Sequence, residues 1–563
     1  MSKRRIDGDL SKNPPPKRSR TNEAGNKTDR LSSLSNEILL HILSFLPIPA
    51  LLTCQRLSHR FHALAGDSEL WKRQYYSKWV RPRARRLAIS RRFFLPQSKF
   101  EYSPRVSTWL DHGNLDRNYR VTHWKRQYQL RHNWSKGTCR MTQVELPQPP
   151  RPPMLVTLCA GYVFTADSHE GLRVWLMESP ETCKAALSFA DPESHTSHAP
   201  TALTATCGSE ENSIEVAVGF DDGVFSVYRL DTKNIRLELR FSRTRSAHGA
   251  ITAMAASYPY LMAVSKHRML SLYKLPLRPD NPSWGDEAHL IASLRADSIL
   301  SPMSLSVRLA GSGIIASIVY SFLHLGCGWS LGIQELHFDN AGQQTKSRLT
   351  TTVDTQYGMH LHRLPGSSTE QDSTTEFEPP GPPSATPTLP AILHQDPPTS
   401  VSYSHPYLLT SHADNTLTVY LVVSTPSSLF VKGGQRLFGH TSSVSAVQVS
   451  DRGKAASVSL HGDEIRIWEL ESLVSSFGSQ KLPQADNSIK VKPENQRDPR
   501  AHEGLGLLSG VPRQISIQDQ SSSADLPHRV AAARGCIGFD DERLLLFREK
   551  EHGSQLLEFY DFR

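Results

Sequence analysis

One short unit recurs through the C-terminal part of this chain: a strand, a tight polar turn, then an alternating strand that closes on an aromatic side chain. FTADSHEGLRVW ends at Trp175, VGFDDGVFSVY at Tyr228, VSKHRMLSLY at Tyr273 and TSHADNTLTVY at Tyr420, and VSLHGDEIRIWEL contains Trp468. Neighbouring endings lie 53, 45 and 48 residues apart. A period of about 40–45 residues is what one four-stranded blade requires. A single blade cannot bury both of its faces, so such units stack, and closing the stack into a ring hides the sheet edges. The pattern therefore confines this region to an all-β propeller. Five endings give five blades. A sixth is expected in 285–338, with LSVRLAGSGIIASIVYSF and SLGIQELHF as strands, and a seventh in 529–562. A strand near Met154–Val163 is expected to help close the ring. Two inserts, 364–396 (Pro, Ser and Thr rich) and 472–525 (polar and charged), read as flexible loops.

Ahead of the repeats lies an apolar block, Leu31 to Trp71, with helical spacing through Leu31, Leu34, Ile38 and Ile42 and through Leu39, Leu43 and Leu46. Its apolar positions cover more than one helix face. Ser35 suits an N-cap, Asn36 and Glu37 suit a first turn, and Pro47 and Pro49 are expected to stop the helix. A second run carries Leu51, Leu52, Leu57, Phe61 and Leu64. A unit of about 40 residues buries too little surface to stand alone. Its excess apolar surface predicts a partner protein, or another domain of the same chain.

Composition bounds the function. Mean hydropathy is −0.41, and no apolar run reaches the roughly 18 residues of a membrane span. MSKRRIDGDL lacks the apolar core of a signal peptide. The seven cysteines are scattered without a CxxC pair, which favours reduced thiols in a nuclear or cytoplasmic protein and no zinc site. The net charge of +9 is uneven. Residues 1–28 read as a disordered basic tail, in which Lys3, Arg4, Arg5 and Lys17, Arg18, Arg20 resemble a bipartite nuclear import signal; the other reading is a solvated tail. Residues 72–99 carry ten Lys or Arg and no acid. They could meet phosphate, but a connector helix that packs Tyr76, Trp79 and Phe93 is the expected form. Val491-Lys492-Pro493-Glu494 fits a short hydrophobic–Lys–x–Glu modification pattern in a flexible loop. No Walker loop, dinucleotide fingerprint, HExxH or nucleophile elbow is present, so no catalytic residue, metal or cofactor is assigned.

Three resemblances sharpen this reading. The block from Leu34 through Glu37, Ile38, Leu39, Ile42, Leu43, Leu46, Leu51, Leu52, Leu57, Arg60, Phe61, Leu70 and Trp71 resembles an F-box, with Ser35 in place of the family's Pro and Ser58 in place of its usual Cys. Residues 437–470, with Gly439-His440 and Trp468-Glu469, resemble a WD repeat. Such blades are held by a hydrogen-bond chain of Trp, Ser or Thr, His and a turn Asp. The turn Asp is present as Asp222 and Asp414 but replaced by His169, His267 and Gly462, so no full polar network is expected in any blade. Between the two, Trp124, Lys125, Tyr128, Arg131, Asn133, Trp134 and Gly137 match in order the segment that joins F-box to WD repeats in related proteins. The expected organisation is α+β and multidomain: basic tail 1–28, F-box 29–75, basic helical linker 76–150 and seven-bladed propeller 151–563.

The resemblance implies a non-catalytic substrate receptor of an SCF-type ubiquitin ligase. The F-box would dock the Skp adaptor through Leu34, Glu37, Ile38, Ile42, Leu43, Leu46, Leu51, Leu52, Leu57, Phe61, Leu70 and Trp71. Cullin and RING subunits would follow, and the propeller would hold an unknown protein substrate. Some related receptors read phosphate with an Arg five residues before the closing aromatic. Only Arg268 fits; Glu170, Gly223, Asn415 and Asp463 fill the equivalents. A nuclear scaffold for protein–nucleic-acid complexes is the alternative, and a propeller enzyme a weaker one.

Overall fold

The computed structural model describes residues 31–82, 123–146, 154–189, 198–243, 249–275, 288–295, 300–353, 392–470, 488–493, 536–549 and 555–563, apart from interruptions of one to three residues. The basic clusters at 3–5 and 17–20, Phe93, and most of both inserts lie outside these residues. The chain divides into two units, Met1–Lys78 and Trp79–Arg563.

Side-chain caps set the helices of the first unit. In α1 (Asn36–Leu43) the Ser35 hydroxyl accepts from the Ile38 amide. Pro47 separates α1 from a second helix rather than ending helical structure: α2 (Ile48–Cys54) opens directly after Pro47 and takes Pro49 into its first turn, where a missing N–H has no intrahelical partner to lose. Ser58 caps α3 (His59–Ala65), accepting from the Phe61 amide at 3.2 Å, and Asp67 caps α4 (Ser68–Tyr75). A π-helical turn, Tyr76–Val80, continues α4. Four helices thus occupy the predicted all-α block.

The second unit opens with α5 (Trp124–Lys136) and continues as seven antiparallel sheets. Blades 1 to 6 span 155–187, 200–243, 251–295, 300–351, 400–437 and 444–490. Blade 7 is composite. Cys536–Phe539, Arg543–Glu549 and Gln555–Asp561 receive their outer strand, β1 (Thr138–Leu146), from the other end of the sequence, in register from Arg140↔Asp561 to Leu146↔Gln555. The seven-bladed propeller is therefore as expected, but three details differ. The strands Leu155–Cys159 and Tyr162–Asp167 are the first two of blade 1, not the closing strand. Closure falls to β1, inside the segment read as a helical linker; its two faces bury Cys139 in the core shared with blade 6 and Leu146 in the core shared with blade 1, while Arg140 stays wet. The strand His289–Arg295 completes blade 3, so blade 4 begins at Leu300 and ends with Gln344–Thr351.

Both inserts contribute ordered residues. Ser488–Lys490 is the outer strand of blade 6, and Lys492–Pro493 pairs in parallel with β1. Ile489 and Val491 pack into the core beside Trp134, which holds a short stretch whose flanks are polar. The modification pattern around Lys492 is thus not in a loop. Val491 is buried and the Lys492 amide donates to Gly137 O at 2.7 Å. At the end of the other insert, His394 bridges to Gly328 and is buried.

Hydroxyls stitch the inner strands of blades 4, 5 and 6. Ser304 accepts from the Tyr403 amide at 3.1 Å, Ser400 from Val447 at 3.4 Å and Ser402 from Val449 at 3.0 Å. Blade 5 also encloses two histidines. His394 and His412 stack at 3.8 Å with 5° between planes, and bond to Thr418 and Thr410. Burial, with Arg436 nearby, lowers His394 to about 4; burial, with His394 beside it, lowers His412 to about 3. Both are neutral at pH 7. The unfolded chain protonates them first on acidification, so their contribution is complete above about pH 6.5 and is lost as pH falls toward those values. In chemical denaturation between pH 7 and 4, His394→Leu/His412→Leu should lose less stability on acidification than wild type.

Candidate functional site

The helical unit satisfies its polar groups internally. Gln55 Nε2 and Trp71 Nε1 both donate to Ala65 O at 2.9 Å. Arg60 donates to Asn36 Oδ1 at 3.1 and 2.8 Å and to Leu34 O at 2.6 Å. Gln74 reaches Leu46 O. Around these bonds Leu39, Leu43, Leu51, Phe61, Leu64 and Leu70 form one core.

That core divides the twelve residues expected to meet a partner. Leu43, Leu51, Phe61, Leu70 and Trp71 are buried in the unit's own core or against it. Leu34 and Leu46 are half-buried against the core. Glu37, Ile38, Ile42, Leu52 and Leu57 remain exposed. The sequence reading missed Phe45, which is 69% exposed against 50% for Ile38 and 42% for Ile42. Its spacing, seven residues beyond Ile38, was the available signal. Phe45 is held, not loose: His41 meets its ring edge-on at 5.0 Å, and the Arg73 guanidinium sits 5.8 Å from its centroid while bonding Ser44. Large apolar side chains held in water on one small unit mark an interaction surface.

In the second unit, the Trp–Tyr–Trp segment behaves as an anchor. Trp134 stacks on Phe562 at 3.9 Å and 14°, and its Nε1 donates to Asp541 O at 2.8 Å. Asn133 donates to Phe562 O at 2.8 Å. The Lys454 ammonium lies 4.5 Å from the Trp134 ring, its pKa lowered by burial. Gly137 ends α5 at φ +70°, where a Cβ would collide with Lys490 O. Tyr128 packs on Trp79 at 4.7 Å, with Arg131 over the same indole.

The propeller turns give a mixed result. Arg268 is exposed, at φ 59° in its turn. Gly223 and Asn415, its equivalents, also have positive φ, so the position is set by a left-handed turn. Asp222 and Asp414 accept turn amides, and Asp167 does so for His169 and Glu170. Blade 6 builds the polar chain as far as its histidine, with a carboxylate beyond it at ion-pair distance. Trp468 Nε1 donates to Ser457 Oγ at 2.8 Å, Ser457 meets His440 Nε2 at 2.6 Å, and His440 Nδ1 lies 3.5 Å from Glu464. Glu464, two residues beyond the Gly462 position, supplies the carboxylate. Burial opposes its ionisation, but the Thr441 amide and Arg466 outweigh that and hold it below the usual range. His198 and Asp222 pair likewise at 3.5 Å; with Asp221 they form a set whose ligand atoms lie within 4.8 Å. Ser457→Ala removes the acceptor of the buried Trp468 Nε1–H and the hydroxyl that meets His440 Nε2, so it should cost about 1–3 kcal/mol in urea denaturation. Trp134→Ala should cost about 3–5 kcal/mol.

An exposed-apolar helical unit followed by a closed seven-bladed ring defines an F-box protein with a propeller. Residues 31–77 match the F-box-like family, and residues 139–563 match the family described as F-box protein pof12 beta-propeller. The chain belongs to that propeller family. It is similar to F-box protein pof12 of Schizosaccharomyces pombe (strain 972), 21% identical over 458 residues that cover 78% of this chain and 84% of that protein. It is also similar to F-box protein dre-1 of Caenorhabditis elegans, 30% identical over 101 residues, covering 18% of this chain and 10% of that protein. The solved structure of U3-55K aligns with a TM-score of 0.39 and 11% identity, covering 74% of this chain and 98% of that one.

Proposed function

We propose that this protein is the substrate-recognition subunit of an SCF-type ubiquitin ligase, with the F-box docking a Skp-type adaptor and the propeller holding a protein for ubiquitination. One observation carries the reading: Ile38, Ile42 and Phe45 stand in solvent on an F-box unit whose own core is already filled. Leu52 and Leu57 add exposed apolar area beyond α1. The adaptor would link the chain to cullin and RING subunits. The protein itself forms and breaks no bond. Its contribution is to raise the effective concentration of substrate lysines near the charged conjugating enzyme. The basic clusters at Lys3–Arg5 and Lys17–Arg20 fit import into the nucleus, where part of this activity would then occur.

The core–surface division makes the reading testable. Ile38→Asp/Ile42→Asp should abolish co-purification with the Skp adaptor while leaving thermal unfolding near wild type. Leu43→Ala removes a buried side chain instead and should destabilise the unit by about 2–5 kcal/mol. Adaptor binding by the Ile38→Asp/Ile42→Asp protein, or none by the folded wild type, would sink the assignment.

A further inference from the structure

Arginines that sink into the blades come with an acid. Among the described residues of blades 1 to 7, every buried or half-buried arginine but one has a carboxylate oxygen at ion-pair distance. Arg173 meets Asp167 at 2.7 Å, Arg240 meets Glu215 at 2.8 Å and Arg466 meets Glu464 at 2.7 Å. The exception is Arg348, half-buried on the outer strand Gln344–Thr351 of blade 4. Taking a charge out of water without a counter-charge is costly, so this guanidinium has an unmet demand for an anion.

What Arg348 touches is neutral. Its Nη1 donates to Thr425 O, and to Ser428 O at 3.0 Å. Its Nη2 lies 3.0 Å from His337 Nε2. A guanidinium has no lone pair to offer, so His337 Nε2 is the acceptor and carries no proton. Burial and the Arg348 charge both lower the pKa of that histidine. Glu335, opposite Arg348 in the strand pair, is already engaged. It takes Arg308 at 2.9 Å and the Ser424 hydroxyl at 2.8 Å. One carboxylate thus stands among two guanidinium groups, and the surplus positive charge rests on Arg348.

The carbonyls that Arg348 holds belong to a turn of blade 5 built from hydroxyl side chains. Thr425, Ser427 and Ser428 lie between the strands Leu417–Ser424 and Leu429–Leu437, with both serines exposed. Thr425 Oγ1 accepts from the Ser428 amide at 2.9 Å, and lies 2.8 Å from Ser428 Oγ and 3.4 Å from Ser427 Oγ. An amide and two hydroxyls therefore gather at the Thr425 hydroxyl, with a guanidinium on the adjoining carbonyl. Donors of these kinds hold phosphate groups. In the sequence Thr425 is followed by Pro426, the dipeptide on which proline-directed kinases act. The turn joins the third and fourth strands of its blade, so it lies on the face opposite the turns of Asp222, Arg268 and Asp414.

We propose that Thr425 is a phosphorylation site and that Arg348 receives the phosphate, clasping blade 4 to blade 5. Thr425 Oγ1 attacks the γ-phosphorus of a nucleoside triphosphate held by a separate proline-directed kinase. The new O–P bond forms as the bond from that phosphorus to the nucleoside diphosphate breaks, and the hydroxyl proton passes to a base of the kinase. The product carries about two negative charges beside a cation that otherwise meets only neutral acceptors. A neutral contact between blades becomes an ion pair. This goes beyond the receptor reading and does not depend on it.

The test has two arms. In the first, the full-length chain is treated with ATP and a recombinant proline-directed kinase chosen because it phosphorylates a synthetic peptide of residues 420–431, and the sites are located by mass spectrometry. Phosphate at position 425, lost in Thr425→Val, is expected. An unmodified Thr425 in the folded chain overturns the site. In the second, phosphothreonine is placed at position 425 of the full-length chain by codon reassignment and titrated by phosphorus NMR. Its second pKa, ordinarily about 6, should fall by roughly half a pH unit or more in the otherwise wild-type chain. It should return toward the ordinary value in Arg348→Gln and stay low in Arg348→Lys, which keeps the charge. Unfolding temperatures of both variants show whether the blades remain folded. An ordinary value in the otherwise wild-type chain, or a lowered one that a folded Arg348→Gln leaves unchanged, overturns the clasp.

Discussion

The pairing of β1 with the strand Gln555–Asp561 is the constraint on which the rest of the propeller rests. Each of the other blades is made of consecutive strands and could form locally. Blade 7 cannot, because its outer strand lies some four hundred residues upstream, and without it the last sheet keeps an open edge. The seam is reinforced on both sides. Trp134 and Asn133 grip Phe562 and its backbone just before β1 begins. Arg543 and Arg563 both reach Glu178 of blade 1, at 3.0 and 2.8 Å. The anchoring helix and the ring closure are therefore one piece of structure, and whatever loosens the seam loosens α5.

The sequence made the central hairpins visible and the periphery obscure, for a physical reason. Second and third strands are buried on both faces, so Tyr228, Tyr273, Tyr420 and Trp468 stand out against short polar turns. Outer strands such as Arg236–Arg243, Gln344–Thr351 and Ser488–Lys490 carry charge and lack a closing aromatic, and the last of them falls inside a segment that reads as a flexible loop. Closure was assigned to the nearest strand because local pattern carries no information about a partner four hundred residues away. Glu464 shows the limit of motif spacing. A longer side chain two positions on reaches the same histidine, so a missing Asp in the pattern is not a missing carboxylate in space.

The helical unit shows a different limit. Its apolar positions were legible from spacing, but spacing cannot sort them when both faces of a helix are apolar. Leu39 and Leu43 turn inward while Ile38 and Ile42, one residue away in each case, turn outward. Capping by Ser58 and the Arg60 fork to Asn36 and Leu34 settle which way α1 and α3 face. Those polar details carry the distinction between residues that hold the unit together and residues that offer it to a partner.

The composite seventh blade also orders events in time. The ribosome makes β1 first, yet its partner appears only after about 410 further residues. At roughly 5–20 residues per second that interval is on the order of 20–80 seconds. Blades 1 to 6 can each assemble as they emerge, while β1 waits as an unpaired, half-apolar edge beside the newly made helices. The ring snaps shut only when the final strand leaves the exit tunnel, so the nascent chain passes most of its synthesis as an open arc. A chain without the strand Gln555–Asp561 and Phe562 would stay in that state, with the first strand exposed and the helix before it unmoored.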